Sequence, residues 1–348
     1  MLFEAGSASL RCSEVIETTI HAQAQHRSIA RTSILQFAWG EGDRFWAVTR
    51  PCWSELFASS STGGDDMLAT STRDGHAAHT SQHVAESGGD TRPDGKVSFG
   101  FSLMRGKRSN MEDFHHAQFK TEPISGESVG LFGVFDGHGG PNAADYVRSN
   151  LFINLLEHTK FNTDITSALV ESFEGTDKQY LEHNDNISRD DGCTAVTAVV
   201  VGERLLVANV GDSRAVLSRG GKAVPMSIDH KPNSREERTR IEDAGGVVVW
   251  AGTWRVGGVL AVSRAFGDRP LKRYVIPTPD IKDEQLTSQD DCLILASDGL
   301  WDVVSNQDAV AIVKDMAEAD KAARRLVDEA YQRGSNDNIS CVVLKFRF

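Results

Sequence analysis

The chain has 348 residues, room for one large domain or two ordinary ones, with 40% hydrophobic and 25% charged content typical of a globular protein. A formal net charge of −12 argues against a nucleic-acid partner, whose phosphates demand a concentrated Lys/Arg surface, and suits a divalent cation. No apolar run approaches the ~18 residues that cross a bilayer. The N-terminus also lacks the basic start, apolar core and cleavage site of a secretory signal, so an intracellular protein without a membrane partner is expected, in the cytoplasm or nucleus.

Residues 1 to 95 are dominated by Ser, Thr, Gly, His and Ala, as in the run from Ala58 to Asp66, and hold neither helical nor strand periodicity. They read as a disordered N-terminal extension. A transit peptide is the rival reading; Glu4, Glu14, Glu17, Glu41 and Asp43 count against it without closing off organelle targeting. The five cysteines, Cys12, Cys52, Cys193, Cys292 and Cys341, are odd in number and widely spaced, the pattern of reduced thiols rather than a disulfide framework.

From residue 96 to 348 the patterning becomes regular. Ser98 to Leu103, Phe114 to Phe119 and Val129 to Phe135 read as strands. Pro141 then opens a helix with Ala144, Val147, Leu151 and Leu155 on one face, and a second helix is expected from about Thr163 to Glu182. Cys193 to Val201 and Arg204 to Val210 are β-branched runs parted by Gly202-Glu203, and Ala215 to Ser218 leads into a Gly220-Gly221 hairpin. Ser234 with Glu237 spells a capping box, and Gly245 a helix stop. Cys292 to Ala296 forms a further strand before two helices, the first capped by Ser305 with Asp308, the second ended by Gly334. Ile339 to Phe346 closes the chain as a strand. A meander with inserted helices predicts an α+β fold of packed antiparallel sheets covered by helices.

Acids recur just past the apolar strands, beside glycine or another small residue: Asp136 in Val134-Phe-Asp-Gly-His-Gly-Gly140, Asp212 after Gly211, and Asp298 before Gly299. A strand end holds a carboxylate rigidly, and glycine lets backbone approach an ion or a phosphate. Carboxylates from several strand ends would suit a hard dication such as Mg²⁺ or Mn²⁺. Zinc has no Cys-x-x-Cys or His-Glu-x-x-His spacing to bind it. No Gly-x-x-x-x-Gly-Lys-Ser/Thr loop exists for nucleotide chemistry. Cys341 and Arg347 match the Cys-x5-Arg spacing of a thiolate phosphatase, but the residues between them read as strand, which cannot wrap a phosphate.

Six stretches in order resemble the metal-dependent protein serine/threonine phosphatases, the protein phosphatase 2C type, and most closely its plant members. They are Gly106 to Asp113 (Gly-Lys-Arg-Ser-Asn-Met-Glu-Asp), Val134 to Gly140, Ala208 to Arg214, Val262 to Asp268, Ala296 to Asp302 and Ser335 to Ser340. The resemblance implies a four-layer β-sandwich with helices on both outer faces, and hydrolysis of phosphoserine and phosphothreonine in proteins by a metal-activated water. It also implies two Mn²⁺ or Mg²⁺ ions per subunit. Asp136 would bridge them, the Gly137 carbonyl and Glu112 would complete one ion, and Asp298 and Asp337 would hold the other. Asp113 would orient water, and Asp212 and Asp302, with Asp298, match a weaker third site in some members. Arg108 matches the phosphate-binding arginine, and His138 stands where a general acid would protonate the departing oxygen.

Outside these roles, His115 and His116 read as ordinary strand residues, Asp268 as a support rather than a ligand, and Trp301 as packing beneath the site. Val249 to Trp254 should belong to a flap, with Trp250 as an exposed docking residue. Phosphorylated proteins are the expected partners and a monomer the expected state. A relative that binds phosphoproteins without hydrolysing them is the alternative; loss of a bridging acid or of the phosphate arginine would favour it, and neither is lost. A phosphatase for small-molecule phosphates is the third reading.

Overall fold

The computed structural model describes residues 84–121, 126–183 and 190–348, together with the short strands Leu35–Gln36 and Val48–Thr49. The chain divides into two compact units at Gly75 and His76. In the first, Leu35–Gln36 pairs antiparallel with Val48–Thr49; Cys12, Cys52 and the expected disorder of this stretch lie outside the described residues.

In the second unit, two antiparallel sheets stack face to face. The five-stranded sheet runs Asp280–Gln285, Arg204–Val210, Ala195–Val201, Ser128–Phe135, Phe114–Thr121. The six-stranded sheet runs Lys222–Pro225, Arg214–Arg219, Asp290–Ala296, Ile339–Phe346, Val97–Met104, Val84–Thr91. The last of these strands falls within the segment that the sequence assigns to the extension. Its Val-Ala-Glu-Ser-Gly-Gly-Asp-Thr sequence carries no strand periodicity, and it owes its form to the free edge of Val97–Met104.

Three apolar layers make the four-layer architecture. Along Ser128–Phe135, Val129, Leu131 and Phe135 point into the layer shared with helices Asn142–Leu156 and Ile165–His183, while Phe132 and Val134 point between the sheets. Along Ile339–Phe346, Cys341 and Val343 face helices Asn306–Val313 and Ala319–Gln332, while Val342 and Leu344 face inward. Strands covered on both faces read as unbroken apolar runs, which is why the sequence displays them so plainly. Ala319, Ala322, Ala323 and Ala330 let the last helix lie close on the sheet; a Cβ added at Gly100 would meet the Asp320 backbone nitrogen at 2.1 Å.

The Gly220-Gly221 turn has both residues at positive φ, +56° and +74°, as a two-residue hairpin requires. Ser305 caps its helix by accepting the Asp308 N–H at 3.1 Å. The Ser234–Glu237 capping box does not form: Ser234 stands at the N-cap without a side-chain bond, and the Glu237 carboxylate is instead taken up by Arg240, Arg264 and Ser263 at 2.7–3.0 Å. The residues after it form a small lobe with its own core of Ile241, Val248, Val256, Val262, Ala265 and Val275. There the hairpin Val248–Trp250 with Trp254–Val256 leaves Trp250 64% exposed. The hairpin covers the residues expected to form a flap. Among the described residues no helix is long and apolar enough to cross a membrane.

Candidate metal centre

The centre is built from strand ends. Asp136 follows Ser128–Phe135, Asp212 stands two residues beyond Arg204–Val210, and Asp298 two residues beyond Asp290–Ala296, at the start of the short helix Asp298–Trp301. One carboxylate oxygen from each lies within 4.8 Å of the other two. Among the described residues this is the one group of three or more His, Cys, Asp or Glu side chains so placed. Two strands of one sheet and one of the other supply it, so stacking the sheets assembles the group.

Local backbone makes the approach possible. The Asp136 carbonyl accepts the Thr194 N–H at 2.9 Å, and Gly137–His138 pairs with Gly192–Cys193, which pairs in turn with Phe266–Gly267. A Cβ at Gly137 would meet the Glu112 carbonyl at 2.5 Å, and one at Gly192 would meet Asp268 Oδ2 at 2.1 Å and His138 Nε2 at 2.5 Å. Here glycine is required by closeness.

The electrostatics are those of acidic charge that Lys231 compensates only in part. Burial, then the fields of Asp113, Asp298, Asp212 and Asp337, hold the Asp136 carboxyl well above its ordinary range. Asp298 is raised likewise, by burial and then Asp212, Asp337 and Asp302. Asp113, 3% exposed, accepts from Ser297 Oγ at 2.9 Å and is pushed up to about 6, chiefly by burial. Asp302 is raised by burial and the nearby acids despite Lys231. Such a group needs a cation. The donors are all carboxylate oxygens, with no thiol or imidazole among them, and they fit a hard dication.

The remaining site residues surround this group. Glu112 Oε2 accepts the Gly140 N–H at 3.2 Å, and Asp337 is bound by Arg108 at 2.5 Å, so neither carboxylate joins the close trio. Asp212, matched only to a weaker third site, does join it. Arg108 is 59% exposed and faces solvent beyond Asp337. His138 Nε2 lies 2.8 and 3.0 Å from the two Asp268 oxygens, and a carboxylate can only accept, so Nε2 carries the hydrogen. Burial would depress the His138 pKa, but the Asp268 bond and the surrounding acids raise it. Asp268 is the one described non-glycine residue at positive φ, +49°. Trp301 is buried, donates to the Ala296 carbonyl at 3.0 Å and carries Arg214 over its ring at 5.3 Å.

Sequence reading missed three supports. Asn338 donates to the Arg105 and Asn110 carbonyls and accepts the Glu112 N–H, at 2.8–2.9 Å, fixing the loop that carries Arg108 and Glu112. Asp191 holds Asn142, the Ala143 N–H and Tyr180 at 2.6–3.1 Å, capping from a distance the helix that Pro141 opens. Lys231 donates to Asp212. Asn338 stands inside a quoted motif, and that was its only signal. Cys193, Cys292 and Cys341 are free and buried; Cys341 lies within a strand and burial raises its pKa, so it has no thiolate chemistry.

Fold and site together define the class: a helix-flanked antiparallel sandwich that gathers hard oxygen donors where strands of both sheets end. Residues 97–339 match the family model described as Protein phosphatase 2C. The Arabidopsis thaliana "Probable protein phosphatase 2C 59" is 58% identical over 260 residues, spanning 75% of this chain and 83% of that protein. A relative from Oryza sativa subsp. japonica, "Probable protein phosphatase 2C member 13, mitochondrial", is 55% identical over 279 residues, 80% of this chain and 75% of its own length. Among solved structures, a C. elegans sex determining protein superposes with TM-score 0.66 at 27% identity, over 72% of this chain and 65% of that one. Serine-threonine phosphatase 2C from Toxoplasma gondii shares the fold with TM-score 0.69 at 24% identity, over 75% and 99%. The chain belongs to the protein phosphatase 2C family, with plant-like relatives. It is thereby a protein phosphatase, with phosphoproteins as substrates.

Proposed function

We propose that the chain hydrolyses phosphoserine and phosphothreonine at a dinuclear Mn²⁺ or Mg²⁺ centre. The observation that carries this is the close approach of Asp136, Asp212 and Asp298, Asp212 buried and the other two partly so, each raising the others' need for a cation. Asp136 would bridge the ions, with Glu112 and the Gly137 carbonyl on one side and Asp298 and Asp337 on the other; Asp302 would join Asp212 at a weaker third position. Bound there, the ions would polarise phosphoryl oxygens and lower the pKa of water.

The chain's own groups do the rest. Arg108 offers a planar fork from an exposed position, suited to two phosphate oxygens, with Asp337 holding it at the rim. Lysine would not reproduce that geometry. Asp268 fixes the His138 ring through Nε2 and favours its protonated form, so Nδ1 faces away from the carboxylate and, in the imidazolium, carries the proton that can pass to the departing Ser or Thr oxygen and leave a neutral ring. Asp113, held by Ser297, is a buried acceptor for ordering water. The three buried, unpaired thiols support a reducing intracellular compartment, and the mitochondrial rice relative makes an organelle the competing address.

Phosphate release from a phosphothreonine peptide, with and without Mn²⁺, tests the reading. Wild type should depend on the metal, and Asp136→Ala should lose more than about 100-fold in kcat/KM, at least the scale seen when a metal's supporting residues are removed. Activity that survives EDTA, or is unchanged in the variant, rejects the proposal.

A further inference from the structure

The acidic centre carries a cation of its own. Lys231 lies between the strand Lys222–Pro225 and the helix Arg235–Asp243, and its ammonium donates to Asp212 Oδ2. The Asp212 side chain is 6% exposed and that of Lys231 42%, so the lysine reaches inward from the rim.

Its backbone is clamped to the strand end that presents the acid. His230 N–H donates to the Gly211 carbonyl at 2.9 Å, and Gly211 N–H donates to His230 Nδ1 at 3.1 Å. Asn209 Nδ2 bonds both the Gly211 and Ile228 carbonyls, at 3.1 and 3.2 Å. On the far side, the backbone and hydroxyl of Ser263 both hold the His230 carbonyl at 2.9 Å. An exposed lysine on a loose loop would turn to water and contribute little. This one is fixed by residues that flank Asp212 itself, and Asp212 stands in the close trio with Asp136 and Asp298.

We propose that Lys231 is an intramolecular counter-cation for the Asp212 side of the centre, and that a divalent ion gains Asp212 only by displacing it. The proposal rests on the dication reading of the site. An ammonium and a dication cannot share one carboxylate without repulsion in a partly buried setting. Lys231 therefore makes the Asp212 position the weakest of the centre and sets how many ions the chain holds at a given metal concentration.

The test is a Mn²⁺ titration of the full chain after EDTA stripping, with free Mn²⁺ read by electron paramagnetic resonance. Wild type should show a weak class of sites beside a tighter one. Lys231→Met keeps the apolar stem and deletes the charge, and should tighten the weak class roughly tenfold, within the range of coupling between contacting charged groups. Lys231→Arg should leave it weak, and Asp212→Asn should remove it. Circular dichroism establishes that each variant is folded; should Lys231→Met fail there, Lys231→Gln carries the same expectation. Equal affinities in wild type and the neutral variant, or weaker binding in that variant, overturn this inference alone. A wild-type chain that binds no Mn²⁺ overturns the dication reading and this inference with it.

Discussion

Two acids shielded from water, one on the helix Arg235–Asp243 and one in the metal centre, meet opposite fates. Glu237 is 5% exposed in its side chain and bound by Arg240, Arg264 and the Ser263 hydroxyl. Burial pushes its pKa up, but those bonds win and bring it down to about 2. Asp136 is partly buried among four other acids, and its surroundings together with their fields raise its pKa. One acid is satisfied within the fold and serves architecture; the other is left in deficit, and that deficit is what a cation would fill. Pairing, more than burial or residue type, separates a structural carboxylate from a ligand.

The sharpest way to break this comparison is to neutralise both. Glu237→Ala strands two arginines at a partly buried site and should destabilise the chain by about 3 kcal/mol, the scale for breaking a buried pair. Asp136→Asn removes a repelled charge and should stabilise the metal-free chain by about 1–2 kcal/mol, since sites built for function are held at some cost to stability. Urea titrations of both variants in EDTA should move the midpoint in opposite directions. Movement in the same direction would mean that the centre is already compensated. Added Mn²⁺ at 100 times its Kd should stabilise wild type by about 2.7 kcal/mol and Asp136→Asn by much less.

Asp113, the acid beside Asp136 in the centre, and Glu237 also differ in their response to pH. Asp113, raised to about 6 from an unfolded value near 3.8, binds a proton in the native state that the unfolded chain has released. Its contribution is therefore most favourable below about pH 4 and declines as pH rises through the window to 6, by at most about 1.4 kcal/mol per unit. Glu237, lowered from 4.5 to about 2, behaves inversely: its contribution is present above 4.5 and lost as pH falls towards 2. In EDTA, Asp113→Asn should flatten the stability profile between pH 4 and 6, and Glu237→Gln should flatten it below 4.5. Unchanged slopes in either variant would remove that group from the account.

Much of the sandwich was legible in the sequence, and the reason is physical. Strands buried on both faces show as apolar runs, and carboxylates at their ends stand beside small residues wherever the backbone must pass closely, as at Gly137 and Gly299. Polar edge strands did not show. Val84–Thr91 and Asp280–Gln285 take their form from the neighbour that pairs them. Contacts between distant segments were equally silent: Asn338 holds Glu112 from 226 residues away, and Asp191 caps a helix 48 residues upstream. Local spelling also misled at Glu237, whose helix-start pattern was outbid by two arginines, one of them distant in sequence.

That last case yields the smallest and most local prediction. Ser305 and Ser234 both stand at helix starts with an acid three residues on, and only Ser305 makes the cap, at 3.1 Å. Ser305→Ala should cost about 1 kcal/mol, the usual value for losing such a bond. Ser234→Ala removes no bond and should fall within about 0.5 kcal/mol of wild type, as surface changes do. Paired thermal melts decide it. Equal losses would show that the Ser234 hydroxyl does cap its helix in solution; a loss at Ser305 alone would agree with a Ser234 hydroxyl that bonds nothing, and the same helix-start spelling would then give a cap at one helix and none at the other.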